Sequence, residues 1–107
     1  MFTRIVEMTI RPESRETVTN LHTNDVLPSL RKEKGFVDAV GLISTESGNQ
    51  LVSITFWKTR QDAETYHQNT YPRLISLLTS HITHPPTIRT YEVLNSTAHK
   101  IAAGKAA

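Results

Sequence analysis

Leu51–Pro72 reads LVSITFWKTRQDAETYHQNTYP, and its first half decides the fold. Leu51, Val52, Ile54, Phe56 and Trp57 make a run rich in β-branched and aromatic residues, which packs well on a pleated sheet covered on both faces. Residues 50–58 are therefore expected to form a central strand. Lys58-Thr59-Arg60 supplies a polar turn in which Thr59 can N-cap a helix, and Asp62 falls in the first turn, where the helix dipole favours negative charge. A helix is expected from near Arg60. Pro72 falls inside it, and because proline suits the first turn of a helix, Asn69-Thr70-Tyr71-Pro72 reads as a break and restart. Leu74, Leu77 and Leu78 give the restarted piece its buried stripe.

Upstream, Phe2–Arg11 alternates Val6, Met8 and Ile10 against Thr3, Glu7 and Thr9, which is a first strand closed by Pro12. From Glu13 to Lys34 the residues Val18, Leu21, Val26, Leu27 and Leu30 recur at helical spacing, with Ser14 available as N-cap. A long first helix is expected, kinked at Pro28, which removes one backbone hydrogen bond. Lys34-Gly35 ends it with a basic last turn and a glycine able to take φ > 0. Phe36–Thr45 reads as a second strand and Glu46-Ser47-Gly48-Asn49 as a tight turn, so the second and third strands form a hairpin. His84-Pro85-Pro86 forces extension, and Thr87–Leu94 alternates as a final strand.

The order is βαββαβ, the ferredoxin-like plan of the α+β class: a four-stranded antiparallel sheet with both helices on one face. Residues 1–95 are assigned to one domain, since 107 residues suit a single core and do not suit two. Residues 96–107, STAHKIAAGKAA, are Ala-rich and without period, and are expected to fray or to dock on another surface, such as a partner. The second and third strands carry apolar residues on both faces, so the face away from the helices would be an exposed apolar patch. A second copy packed sheet to sheet covers it, and a homodimer is expected.

Composition narrows the function. Twelve Lys and Arg against ten Asp and Glu leave a formal charge of +2, with the basic residues scattered, so no nucleic-acid partner is expected. No apolar run approaches the roughly 18 residues that would cross a bilayer, and MFTRIVEMTI is a strand pattern rather than a secretory signal; no membrane partner and a cytoplasmic location are expected. The chain has no cysteine, which excludes disulfides, thiolate metal sites and a cysteine nucleophile. No Gly-rich phosphate loop, nucleotide fingerprint or Ser-His-Asp order is present.

Gly35-Phe36, the hairpin, and Phe56-Trp57-Lys58-Thr59-Arg60-Gln61-Asp62-Ala63 together resemble the antibiotic biosynthesis monooxygenase family of dimeric α/β-barrel proteins. The likeness covers roughly residues 2 to 95. It implies a small dimeric barrel and, in the quinone-forming members, oxygenation of an aromatic substrate without a cofactor; no cofactor is therefore expected here. Trp57 matches the strand-end Trp that lines the pocket of those members, and Ser53 stands where they place an asparagine. A serine hydroxyl differs from an amide in reach and geometry for holding a phenolate or peroxide oxygen. The haem-degrading branch would want Asn, Trp and His at positions that correspond to Val6 or Glu7, Tyr66 and Ser76, so that reaction is disfavoured.

Five histidines are present. His81 and His84 precede Pro85-Pro86 at a helix end without a nearby carboxylate, where histidine suits the helix dipole, and no metal is expected. His22 and His67 sit on the two helices that cap the sheet, and with Glu7 they are the candidates for taking a phenolic proton. A helix histidine is more often a partly exposed one, and a strand-end Trp is more often core. The candidate substrate-binding groups are Trp57, Ser53, Tyr66, Tyr71 and Arg73, since a few convergent polar side chains in an apolar cavity are what small-molecule sites look like. Two functions compete: a cofactor-independent monooxygenase of quinol-like aromatics, and a non-catalytic dimeric barrel that binds a small apolar ligand or serves as an assembly module.

Overall fold

The computed structural model describes residues 1–99. Four strands, β1 (Phe2–Thr9), β2 (Phe36–Ile43), β3 (Gln50–Trp57) and β4 (Thr87–Glu92), form one sheet in the order β2-β3-β1-β4, with every neighbouring pair antiparallel. With the helices on one face this is the expected ferredoxin-like α+β fold. The strands end a residue or two earlier than the sequence pattern suggests. Ile10 continues β1 only as an isolated bridge to Ile82.

The register explains which side chains meet the helices. Phe2 pairs with Trp57, Arg4 with Thr55, Val6 with Ser53 and Met8 with Leu51, all on the covered face. Ile5, Glu7, Val52, Ile54 and Phe56 alternate onto the opposite face. A bulge at Val37, between the Phe36 and Asp38 pairings, shifts β2 so that Val40 and Leu42 fall on that uncovered face. Both are exposed there, at 38% and 48%.

The first helical segment departs from expectation. It is not one kinked helix but three pieces: α1 (Arg15–Leu21), a π-helical turn (His22–Val26) and α2 (Leu27–Arg31). Pro28 accounts for this. It has no N–H to give and its ring crowds the carbonyl one turn back, so the chain widens and Leu27 N–H reaches the His22 carbonyl, five residues back. Ser14 does not cap; it is buried, and its Oγ lies 3.0 Å from His81 Nδ1. The second helical segment follows expectation except at its end, where the helix stops at Ser76 and, of the expected buried stripe, Leu74 and Leu78 are buried but Leu77 is exposed. Thr59 caps α3 (Arg60–Asn69) by accepting from the Asp62 N–H at 3.1 Å, and after a break at Thr70 the chain restarts as α4 (Tyr71–Ser76) with Pro72 in its first turn. Gly35 has φ +78°, and a Cβ there would fall onto the Asp62 side chain. Only glycine suits that junction.

The core has two parts. One gathers Phe2, Val26, Leu30, Trp57, Ala63, Tyr66 and Leu74; the other gathers Val6, Met8, Ile10, Val18, Leu51, Leu78 and Ile82. Ser96–His99 lies against the chain's own uncovered sheet face, with the His99 ring 4.9 Å from Phe56 and its Nε2 3.6 Å from Asp38 Oδ2. The rest of the tail lies outside the described residues.

Candidate functional site

Between the two halves of the core, polar side chains interrupt the covered face of the sheet. Arg4 of β1 and Ser53 and Thr55 of β3 face the helices, and His22 meets them from the first turn of the π-helical segment. They line a cavity of about 30 Å³ whose apolar walls come from both core clusters, through Val26, Leu30 and Leu74 on one side and Val6, Met8 and Leu78 on the other. By volume this is room for about one water molecule.

At one end stands His22. Its Nε2 lies 3.3 Å from Ser53 Oγ, and its Cε1 is 3.3 Å from where a Cβ on Gly41 would sit, so β2 lets the ring approach the sheet by having no side chain there. Burial disfavours the imidazolium and lowers the His22 pKa below the usual 6.5. At neutral pH the ring is a neutral base whose hydrogen-bond partner is a hydroxyl able to donate or accept, and such a pair can take up and relay a proton.

At the other end stands Arg4, only 3% exposed. Its guanidinium lies over the Tyr71 ring at 4.5 Å and near the Tyr66 ring at 5.3 Å, and it donates to His67 Nδ1 at 2.7 Å. Arginine has no acceptor, so His67 must accept at Nδ1 and carry its proton on Nε2. Desolvation, followed by the positive charge of Arg4, lowers the His67 pKa and keeps the ring neutral. The His67 ring in turn stacks on Tyr71, with centroids 5.3 Å apart. The Tyr66 hydroxyl is pushed up to about 12, chiefly by burial. Burial also raises Tyr71, against the pull of the adjacent Arg4 guanidinium; its buried hydroxyl lies close to that group but completes a well-formed hydrogen bond with no protein atom. An orphaned buried hydroxyl on a cavity wall suits a water or a ligand oxygen.

His22, Ser53, Tyr66 and Tyr71 thus converge on one cavity. Trp57 does not join them. It is fully buried, tilted against Tyr66 at 4.9 Å and edge-on to Phe36, with its indole N–H donating to Thr55 Oγ1 at 2.9 Å. The bulge of β2 and the α3 packing seal the ring in, so it acts on the cavity by holding Tyr66 and Thr55 and not as a wall a ligand could touch. Glu7 lies on the uncovered sheet face, 3.7 Å from Arg89, because β-strand alternation turns it away from the helices. Arg73 is exposed on α4 and donates to Ser29 Oγ at 3.4 Å, outside the cavity. His67 reaches the site only through Arg4 and Tyr71. Among the described residues no group of three His, Asp or Glu side chains could hold a metal ion.

Arg4 and Thr55 were missed. The signal for Arg4 was present: it occupies the same register as Phe2, Val6 and Met8, so the alternation of β1 carries a charge straight into the covered face. A charge on a core face calls for an explanation by function.

A four-stranded ferredoxin-like sheet with a small, polar-seamed cavity under its helices defines the class. The sequence profile of that class described as antibiotic biosynthesis monooxygenase matches residues 1–73, and the chain belongs to that family. No curated protein matches. Among solved structures, one from Nitrosomonas europaea, assigned to the antibiotic biosynthesis monooxygenases, superposes with a TM-score of 0.76 at 21% identity, covering 88% of this chain and 99% of the other. The Rv0793 protein of Mycobacterium tuberculosis gives 0.75 at 18% identity, covering 90% and 97%. The monooxygenase ActVA-Orf6 of Streptomyces coelicolor, in complex with nanaomycin D, gives 0.71 at 21% identity, covering 89% and 88%.

Proposed function

We propose that the protein is a cofactor-independent monooxygenase that converts a phenolic or quinol-like aromatic to a quinone, working as a homodimer in the cytoplasm. The observation that carries this reading is the pair His22–Ser53, a neutral base hydrogen-bonded to a hydroxyl at 3.3 Å inside an apolar cavity. His22 takes the phenolic proton and Ser53 orients the oxygen it leaves. The electron-rich phenolate then supplies the electrons for dioxygen. One oxygen atom enters the ring carbon, the other leaves as water with the two hydrogens the substrate loses, and no outside reductant is needed. The Tyr71 hydroxyl, buried without a well-formed hydrogen bond, donates to the oxygen anion that develops.

A ring enters only if the cavity opens. Two of its walls belong to interrupted helices, the π-helical turn at His22–Val26 and the restart at Tyr71, and these are where a helix gives most readily. Dimer formation is supported by the exposed apolar side chains Val40, Leu42 and Tyr91 on the uncovered face.

The second reading is a dimeric barrel that binds a small ligand without turning it over. It is favoured by Ser53 standing where the quinone-forming members carry an amide, and by a cavity this small. Oxygen uptake with anthrone separates the two. The monooxygenase consumes one dioxygen per anthrone and releases anthraquinone; uptake no faster than spontaneous oxidation with anthrone, 1-naphthol and 1-hydroxy-2-naphthoate alike rejects catalysis and leaves the binding module.

A further inference from the structure

Arg4 is a buried cation without an anion. It is 3% exposed, and among the described residues its neighbours are two tyrosines, with the Tyr71 hydroxyl beside the guanidinium, and a neutral imidazole; the ion pairs of the described residues lie elsewhere. An arginine stays charged in proteins, and a buried charge left unpaired is strongly destabilising. Aromatic faces and one acceptor nitrogen leave several of its five N–H donors free. The side chain also stands between two spaces. On one side is the small cavity; on the other is a groove of about 420 Å³ between α3 and β4, lined by Phe2, Arg60, Ala63, His67, Ile88 and Thr90 together with Arg4 itself. Glu64, the one acid lining that groove, is already paired with Arg60 at 2.9 Å. The groove therefore keeps a net positive charge, and it is aimed at by a fork-shaped donor.

We infer that Arg4 is the receptor for a carboxylate of the ligand, bound from the groove between α3 and β4, so that the ligand class is an aromatic acid. This deepens the reading above and rests on it only for the aromatic body of the ligand. The carboxylate supplies the missing counter-charge and takes bidentate hydrogen bonds from the guanidinium. His67, its remaining proton on Nε2, lines the same groove and holds the guanidinium in orientation through Nδ1. An alcohol or a neutral quinol of the same shape would leave the charge unpaired, and the site would discriminate against it.

The test compares 1-hydroxy-2-naphthoate with 1-naphthol by titration calorimetry on the whole protein. The acid should bind at least about tenfold more tightly, the range in which charge-assisted hydrogen bonds discriminate. Arg4→Met should bring the two to within about twofold of each other, while the ligand-free variant melts no lower than the wild type, because an apolar chain replaces an unpaired buried charge. Should Arg4→Met fail to fold, Arg4→Lys keeps the charge, loses the fork and should retain only part of the preference. Equal affinity for acid and alcohol in the wild type, no binding of the acid up to about 1 mM, or a preference that survives in Arg4→Met each overturns the assignment. The titrations are run without oxygen, so binding is read apart from turnover. A carboxylate preference with no oxygen uptake on either anthrone or 1-hydroxy-2-naphthoate in air would therefore reject the monooxygenase and keep the receptor, and turnover without the preference would do the reverse.

Discussion

The two faces of the sheet are each the opposite of what simple burial predicts. The covered face should be wholly apolar, yet it carries Arg4, Ser53 and Thr55 in the middle of its core. The uncovered face should be polar, yet it presents Ile5, Val40, Leu42, Val52, Ile54 and Phe56. Each departure costs stability in the isolated chain, through buried polar groups on one side and hydrated apolar surface on the other. The difference teaches where the protein's functions sit. Polar groups under the helices line the candidate small-molecule site, and apolar groups outside support the proposed second copy.

The comparison breaks most visibly at Trp57. If the ring is sealed core, Trp57→Ala should destabilise the fold by about 3–5 kcal/mol, as other large-to-small aromatic substitutions do. Trp57→Phe should leave ligand affinity nearly unchanged, and the indole emission should be blue-shifted in the wild type. Emission typical of a hydrated indole, or saturable quenching by a bound quinone, would return Trp57 to the cavity wall.

On the uncovered face, Leu42→Glu places a charge where two copies would meet. It should weaken self-association by about 2 kcal/mol or more, the range for a central interface residue, and sedimentation equilibrium would read this as a shift from dimer to monomer. A monomeric wild type at micromolar concentration would remove the premise. A smaller effect is expected at the edge of the same face. His99→Ala loses a ring contact with Phe56 and a long pairing with half-exposed Asp38, and thermal unfolding should register less than about 0.5 kcal/mol. A larger loss would mean that Ser96–His99 is part of how that face is covered.

The fold was legible because period-two alternation and the Thr59 and Gly35 signals are local, and local chemistry fixed those elements. The interruption at Pro28 was legible as a break but not as a π-helical turn, because the choice between a kink and a widened turn depends on what the helix packs against. The site was harder. His22 and Ser53 are named by the sequence, but their contact spans 31 positions and depends on Gly41 leaving room for the ring. Glu7 and Trp57 lie away from the cavity for one shared reason: residue type suggests chemistry, while strand register and core packing decide which face a side chain takes and whether a ligand can reach it.

The central claim is that His22 is the base, and the pH dependence of anthrone oxygenation tests it most directly. With its folded pKa lowered by burial, His22 is neutral above its usual 6.5, so the rate should be level at and above neutral pH and fall in a single step below that value. Stability should fall in the same direction. The unfolded chain binds a proton at His22 more readily than the folded one, so stability is full above about pH 6.5 and is lost as pH drops toward the folded pKa. In His22→Gln, which keeps a polar side chain beside Ser53, the rate should drop by about 10²–10⁴-fold and the acid-limb step should disappear. A wild-type step lying above about pH 6.5, or one that persists unchanged in His22→Gln, would contradict the account.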